Sequence, residues 1–246
     1  MPGKAIYQGA QMQKKRSEGG LEEQQEPGAD NPDVGGLSLG RIMSFSDGVF
    51  AVAITLLVLS IHVPHVAPTV ADKKLPHEIV KLIPIFEAYI VSFLIIGLFW
   101  IGHHQVFSHF RRHDRGLLWL NLLFLMTIVF IPFPTSLVSQ YPTSRTAFIF
   151  YALSLAVAGI IITLLFWYGT HDNRLVDKVD KKLYRRFSFG YLNMAVIFLL
   201  SIPLSFASVR FAKYLWLLII PTNWYIDHVM LEKLAQRHSA SSGDDG

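Results

Sequence analysis

The sequence lacks the residues and motifs on which most secreted proteins and many enzymes depend. None of its 246 residues is a cysteine, which excludes disulfide bonds and thiolate chemistry. The phosphate-binding Walker loop and the HExxH and GxGxxG patterns of metalloproteases and dinucleotide-binding proteins are also missing. We therefore expect a protein that is not an enzyme and that binds no cofactor and no metal ion.

Charged residues are scarce as well. They make up 16% of the chain, whereas soluble domains carry about 25%. Hydrophobic residues make up 52%, and the mean hydropathy is +0.38. The net charge of +4 comes with basic residues in the loops between apolar runs, where they suit anionic lipid better than nucleic acid. The composition predicts an integral membrane protein whose partner is the lipid bilayer, with no nucleic acid.

Six apolar runs predict an all-α, polytopic membrane protein with six transmembrane helices. A helix of about 20 apolar residues spans the hydrocarbon core of a bilayer. The runs cover residues 41–61, 79–104, 116–138, 145–170, 187–208 and 211–226. Prolines predict a loop from Pro64 to Pro76 between the first two runs. Small residues in the fourth run favour close helix packing, and they are Ala152, Ser154, Ala156, Ala158 and Gly159.

The polar segments outside these runs indicate the domain organisation and the orientation. We predict a disordered N-terminal tail over residues 1–37, a membrane domain over 38–230 and a C-terminal tail over 231–246. With a cytoplasmic N-terminus, 16 of the 22 lysines and arginines lie on the cytoplasmic side. This bias predicts that both termini are cytoplasmic, and we expect a multi-pass protein of the plasma membrane.

The first run begins with polar residues that are unusual inside a membrane. Ser44 and Asp47 lie in its first two turns. Asp47 comes six residues after Arg41, which predicts a depth of about 9 Å inside the membrane. His103 ends the second run and Asn121 begins the third at the same cytoplasmic level. Because buried polar groups in lipid need partners, we expect these side chains to form one network. The network either fixes helix packing or serves gating and proton sensing through the histidine.

One face of the first run carries a single hydroxyl among aliphatic side chains. Val52, Thr55, Leu56 and Leu59 follow the i, i+3, i+4, i+7 spacing of one helix face. Neighbouring positions are apolar too, so periodicity alone favours packing against lipid or other helices over a pore. The Thr55 hydroxyl is able to bond back to its own preceding turn.

Residues in the first three runs together form the pattern of a known family. They are Arg41, Phe45, Ser46 and Asp47 in R-x-x-x-F-S-D, then Trp100 and His103 in W-x-x-H, then Asn121 and the stretch 127–132. Over residues 40–135 the chain resembles the transmembrane protein 175 family of potassium channels. The resemblance implies a potassium-permeable channel, with potassium ions as the permeant species.

The resemblance also implies an assembly and a pore. Single-unit members form homotetramers whose first helices line a central pore, with bulky aliphatic side chains as a hydrophobic constriction. The matching positions are Val52, Thr55, Leu56 and Leu59. Val52 is smaller than the isoleucine or leucine usual in the family, which puts its role as the narrowest layer in doubt. A carbonyl-lined filter of the TVGYG type is missing from the sequence.

In the family, the signature residues of the first helix hold it against the second and third helices. The positions that carry this role here are Arg41, Ser46 and Asp47, with His103 and Asn121 as partners. This implication agrees with the common level of the polar residues derived above.

A proton-coupled secondary transporter that uses Asp47 and His103 is the alternative from another functional class. The sequence shows neither the inverted repeat nor the paired broken helices typical of such transporters. Reversal potentials separate the two functions, because a channel conducts down a potassium gradient alone whereas a coupled transporter needs a second ion.

Overall fold

The structure is a computed structural model that describes residues 38–171, 181–219, 221–223 and 225, with the backbone alone for 181–189. The predicted tails, 1–37 and 231–246, lie outside these residues. Every regular element in the described part of the chain is helical, and four helices there are long and apolar enough to span a membrane. The all-α membrane fold is confirmed, whereas the fifth and sixth spans stay predictions.

The first membrane helix, α1, spans Leu39–Leu56 and continues as a 3-10 turn over Leu57–Ser60. The Ser38 hydroxyl caps its start by accepting a hydrogen bond from the Arg41 backbone N–H at 3.3 Å. A 3-10 turn rises about 2.0 Å per residue and eclipses side chains three positions apart. The C-terminal end of this helix is therefore thinner and more extended than the rest.

The segment after α1 differs from the predicted loop. A 3-10 turn over Pro68–Val70 leads into a short helix, α2, at Ala71–Lys81. Pro76 lies inside α2 and cannot donate the helical hydrogen bond to the carbonyl of Asp72. Both residues are exposed, so water can satisfy that carbonyl. The prediction of a loop through Pro76 is therefore wrong.

The second membrane helix, α3, spans Ile83–Ser108, compared with the predicted range of 79–104. Leu82 separates it from α2. Pro84 lacks the N–H that would continue the helix through Leu82, yet it is well placed near a helix start, where N–H groups have no helical partner. The break at this proline accounts for the later start of the helix, which also ends four residues beyond the predicted range.

The predicted third span, 116–138, consists of two helices. Helix α4 covers Arg115–Phe130, and α5 covers Pro132–Gln140. Pro132 and Pro134 cannot donate hydrogen bonds to the preceding turn, which breaks the helix at Ile131. Helix α5 contacts α3 and the 3-10 end of α1. The two pieces together span 26 residues, long enough to cross a membrane.

The fourth membrane helix, α6, spans Arg145–Thr170, the predicted range. Helix α7 covers Lys181–Ser205, so it starts and ends earlier than the predicted 187–208, and its described apolar part is shorter than a full span. The two helices pack closely because their facing residues are small. A Cβ added at Gly159 would lie 3.1 Å from the Ala195 Cβ.

The last described helix is short and held by aromatic packing. Helix α8 spans Val209–Tyr214 and is followed by a 3-10 turn over Leu215–Leu218. Trp216 stacks on Phe148 of α6 at 5.3 Å between ring centroids and meets Phe198 of α7 edge-on at 5.5 Å. These contacts attach the end of the described chain to α6 and α7.

The close approach of α6 and α7 makes an alanine test possible at two glycines. Gly159→Ala should destabilise the protein by roughly 1–3 kcal/mol, because the new methyl group presses on the Ala195 backbone at 3.3 Å. Gly97→Ala is the matched control: no atom lies within 4 Å of a Cβ there, and alanine favours helix. Unfolding in mixed detergent micelles measures both variants. Equal stability of the two would contradict the packing role of Gly159.

Candidate functional site

Helix α1 has a buried face and an exposed face within the single chain. The buried face is Ile42, Ser46, Phe50 and Ala53, continued by Leu57 and Ser60 in the 3-10 turn. It packs against α3 and α4. The exposed face carries the four positions predicted to line a pore, which are Val52, Thr55, Leu56 and Leu59. One largely aliphatic face of α1 is therefore left uncovered by the other helices of the same chain.

A chain of hydrogen bonds joins the buried face of α1 to α3 and α4. The His103 Nε2–H donates to Asn121 Oδ1 at 2.8 Å, and the Asn121 amide donates to Ser46 Oγ at 3.1 Å. The Ser46 hydroxyl in turn donates to the Ile42 carbonyl at 2.9 Å. The three polar side chains are buried, so the chain satisfies groups that would be costly in an apolar interior.

Aromatic rings enclose the histidine of this chain. The His103 imidazole stacks on Phe107 at 4.4 Å and lies parallel to Phe124 at 5.7 Å. Phe50 of α1 approaches the same ring at 5.6 Å. The packing fixes the plane of the imidazole and therefore the direction in which its Nε2–H points.

A separate hydrogen bond joins the next residue of α1 to α3. The Trp100 indole Nε1–H donates to Asp47 Oδ1 at 2.8 Å, on the exposed side of the contact. Adjacent residues on a helix point about 100° apart, so Ser46 and Asp47 reach different partners. Ser44 is exposed, and the buried serine of the network is Ser46.

The other two signature residues lie at the exposed edge. Phe45 is exposed, and so is Arg41. Arg41 contributes its backbone N–H to the cap of α1, and its side chain makes no hydrogen bond or ion pair with the described residues. The structure thus brings Ser46, His103 and Asn121 together and leaves Arg41 and Phe45 apart from them.

The Thr55 hydroxyl is bonded within its own helix. It donates to the Val52 carbonyl at 2.8 Å, the back-bonding expected for threonine in an apolar helix. The hydroxyl proton is therefore already used in a hydrogen bond. The oxygen lies at an exposed position and its lone pairs can still accept. On the same face, Leu59 follows Leu56 by three residues and lies in the 3-10 turn, a geometry in which side chains at this spacing lie nearly above one another.

A second buried polar cluster joins residues that the sequence does not single out. The Ser92 hydroxyl lies 2.8 Å from Thr135 Oγ1 and 2.6 Å from the Tyr151 hydroxyl, which links α3, α5 and α6. Thr135 also bonds to the Ile131 carbonyl at the break between α4 and α5. Hydroxyls that can bond within their own helix give little sequence signal, and the proline pair beside Thr135 is the one clue that the sequence contains.

Comparisons with known proteins identify the family to which the chain belongs. The family model described as "Endosomal/lysosomal potassium channel TMEM175" matches residues 41–132. A Streptomyces collinus protein named as a potassium channel is 40% identical over 69% of this chain and 83% of its own length. The chain belongs to the TMEM175 family. The match with the family model covers α1, α3 and α4, which carry the hydrogen-bonded residues described above.

Further members of the TMEM175 family share sequence and fold with the chain. A Chamaesiphon minutus protein, also named as a potassium channel, is 39% identical over 69% of this chain and 85% of its own length. The crystal structure titled as a lysosomal potassium-selective channel TMEM175 homolog from Chamaesiphon minutus has a TM-score of 0.66 and 32% identity, covering 76% of this chain and 97% of its own. Human TMEM175, named as an endosomal/lysosomal proton channel, is 24% identical over 86% of this chain and 45% of its own length.

Proposed function

We propose that this protein is a potassium-permeable channel of the plasma membrane whose central pore is formed by the α1 helices of a homotetramer. The observation that carries the proposal is the exposed aliphatic face of α1 in a chain of the TMEM175 family. A single copy of this helix cannot enclose a path, so conduction needs a closed ring of identical chains. Both termini are proposed to be cytoplasmic, as the charge bias predicts.

The proposed constriction is a stack of aliphatic rings at Val52, Leu56 and Leu59. Aliphatic side chains offer no ligands to a cation, so such a pore closes by losing its water. Leu56 is the last α-helical residue and Leu59 lies in the 3-10 turn that follows, so a rise of about 2 Å per residue separates their rings by about 6 Å along the axis. Two stacked leucine rings form a longer dry segment than either ring alone.

Thr55 is proposed to supply the side-chain oxygens closest to the constriction. Its hydroxyl proton points back to the Val52 carbonyl, which leaves the oxygen lone pairs available toward the exposed side. Four such oxygens in a tetramer would form a ring of weak ligands for a partly dehydrated cation. This arrangement favours a hydroxyl contribution to the choice between potassium and sodium.

The polar chain from His103 to Ser46 is proposed to hold α1 in place. Its buried hydrogen bonds fix the rotation of α1, and thereby the face that it presents to the pore. The transporter alternative needs Asp47 and His103 to exchange a proton, but Asp47 bonds to Trp100 and His103 bonds to Asn121. This separation favours a channel, in which the two residues position the helix.

Thr55→Val tests the proposed function directly. Valine keeps the shape of threonine but removes the hydroxyl, so the preference for potassium over sodium should fall while the pore stays open. Reversal potentials under potassium and sodium gradients, recorded from protein in planar bilayers, measure this change. The unchanged channel should also conduct down a potassium gradient without any second ion.

Thr127→Val is the matched control for that experiment. Thr127 lies on α4 and bonds back to the Phe124 carbonyl in the same way, away from the proposed pore. Its replacement should leave the reversal potential unchanged. A shift with Thr127→Val but none with Thr55→Val would overturn the assignment of the pore face.

A further inference from the structure

A cavity opens at the end of the molecule where three helix junctions meet. It has a volume of about 550 Å³. Its lining comes from the start of α3, from the turn between α5 and α6, and from the turn between α7 and α8 together with α8 itself. A second chamber of about 190 Å³ adjoins it, because Glu87, Lys213 and Tyr214 line both.

The larger cavity, the outer chamber, carries an excess of positively charged side chains. Arg210 and Lys213 line it opposite one carboxylate, Glu87. Among the described residues none of these three takes part in an ion pair. Arg145, by contrast, is occupied by the carbonyls of Ser205 and Phe206, each at 3.4 Å. Two cations of the outer chamber are therefore available to an anion.

The smaller cavity, the inner chamber, is lined mainly by carbon atoms. Ala88, Val91, Val138 and Leu217 line it together with the rings of Trp216 and Tyr151. The Tyr151 hydroxyl is already bonded to Ser92 at 2.6 Å, so the polar end of this residue is satisfied elsewhere. Val91 lies one helical turn beyond Glu87, about 6 Å deeper along α3. The charged and apolar chambers thus follow one another along the direction of the membrane normal.

We infer that the two chambers bind one phospholipid with a net negative head group. The helix ends that line the outer chamber lie at the level of lipid head groups, since α3 and α6 begin there. The phosphate lies between Arg210 and Lys213, and the first part of an acyl chain occupies the inner chamber. A free phosphate ion would use the charges alone, whereas a lipid uses the charged and the apolar chamber together.

The charge requirement is tested on the full chain in detergent by native mass spectrometry. Dioleoyl phosphatidylglycerol should stay bound at lower concentrations than dioleoyl phosphatidylcholine. The double variant Arg210→Gln with Lys213→Gln should weaken binding of phosphatidylglycerol by roughly tenfold or more, since each basic residue contributes to the attraction. Lys73→Gln with Lys74→Gln is the matched control, because these lysines are exposed on α2 and do not line the cavity. This control should bind as the unchanged protein does.

The apolar requirement is tested by changing the inner chamber. Val91→Phe fills it, and Leu217→Asn makes it polar at a residue that is 62% exposed in the single chain. Both should weaken binding of dioleoyl phosphatidylglycerol, and glycerol 3-phosphate should not compete with the lipid. Equal binding of the two lipids, an unaffected double variant, or effective competition by glycerol 3-phosphate would each overturn the inference. Because binding is read without any current, this result is independent of the channel proposal.

Discussion

Leu59→Ala and Leu56→Ala are expected to carry several-fold more potassium current than the unchanged channel. A wider ring admits water more easily, and cations follow the water. The gain should come with little loss of stability, because the Leu59 side chain is 69% exposed and that of Leu56 is 37% exposed in the single chain. Single-channel recording from reconstituted protein measures the conductance, and unfolding in mixed micelles measures the stability.

Leu57 provides the control, because it lies between the two test residues on the opposite face. Its side chain is fully buried, at 0% exposure, in the turn that packs against α3 and α5. Leu57→Ala should cost about 2–5 kcal/mol of stability with no gain of conductance. If Leu56→Ala and Leu59→Ala assemble normally and conduct like the unchanged protein, the pore lies elsewhere.

Asn121→Leu is expected to lower the stability of the assembled protein strongly. Leucine removes the acceptor of the His103 Nε2–H and leaves this donor buried among aromatic rings. An unsatisfied buried donor costs about 1–3 kcal/mol, whereas the average hydrogen bond between membrane helices contributes only about 0.6 kcal/mol. The cost therefore comes mainly from the stranded histidine. Yield of the proposed tetramer and unfolding in mixed micelles measure the effect.

A second substitution separates this cause from a general packing defect. His103→Phe in the Asn121→Leu background removes the stranded donor and keeps an aromatic ring between Phe107 and Phe124. The double variant should regain much of the lost stability, because replacing both partners by apolar groups is nearly neutral. A double variant less stable than Asn121→Leu alone would show that the histidine contributes through other contacts.

The features that can be predicted from sequence are those for which the membrane leaves few alternatives. The positions of His103 and Asn121 at the ends of their apolar runs place them at the level of the first-helix signature, and polar side chains in such runs must find partners. The range of α6 is also predictable, because the capping residue Ser144 and the last apolar turn bound it. Length and hydropathy are sufficient for such an element.

Other features depend on tertiary contacts that the sequence does not display. The choice of Ser46 over Ser44 follows from the rotation of α1, which is set by the burial of Phe50 and Ala53. Pro76 indicates a loop by its residue type, although an exposed helix tolerates it. The hydroxyls of Ser92 and Thr135 are able to bond within their own helices, so the residue types alone do not indicate that these two side chains meet.

The polar side chains of α1 differ in when their hydrogen-bond partners become available during synthesis. The Ser46 hydroxyl can form its hydrogen bond within α1 as soon as the helix forms. The Asp47 carboxylate has no indole donor until Trp100 is synthesised, 53 residues later. Those 53 residues take roughly 3–11 s to synthesise at ribosomal rates of about 5–20 residues per second. During that interval an unpartnered carboxylate is costly in lipid. We therefore expect the first helix to stay at the membrane boundary, or with the insertion machinery, until Trp100 of α3 is synthesised.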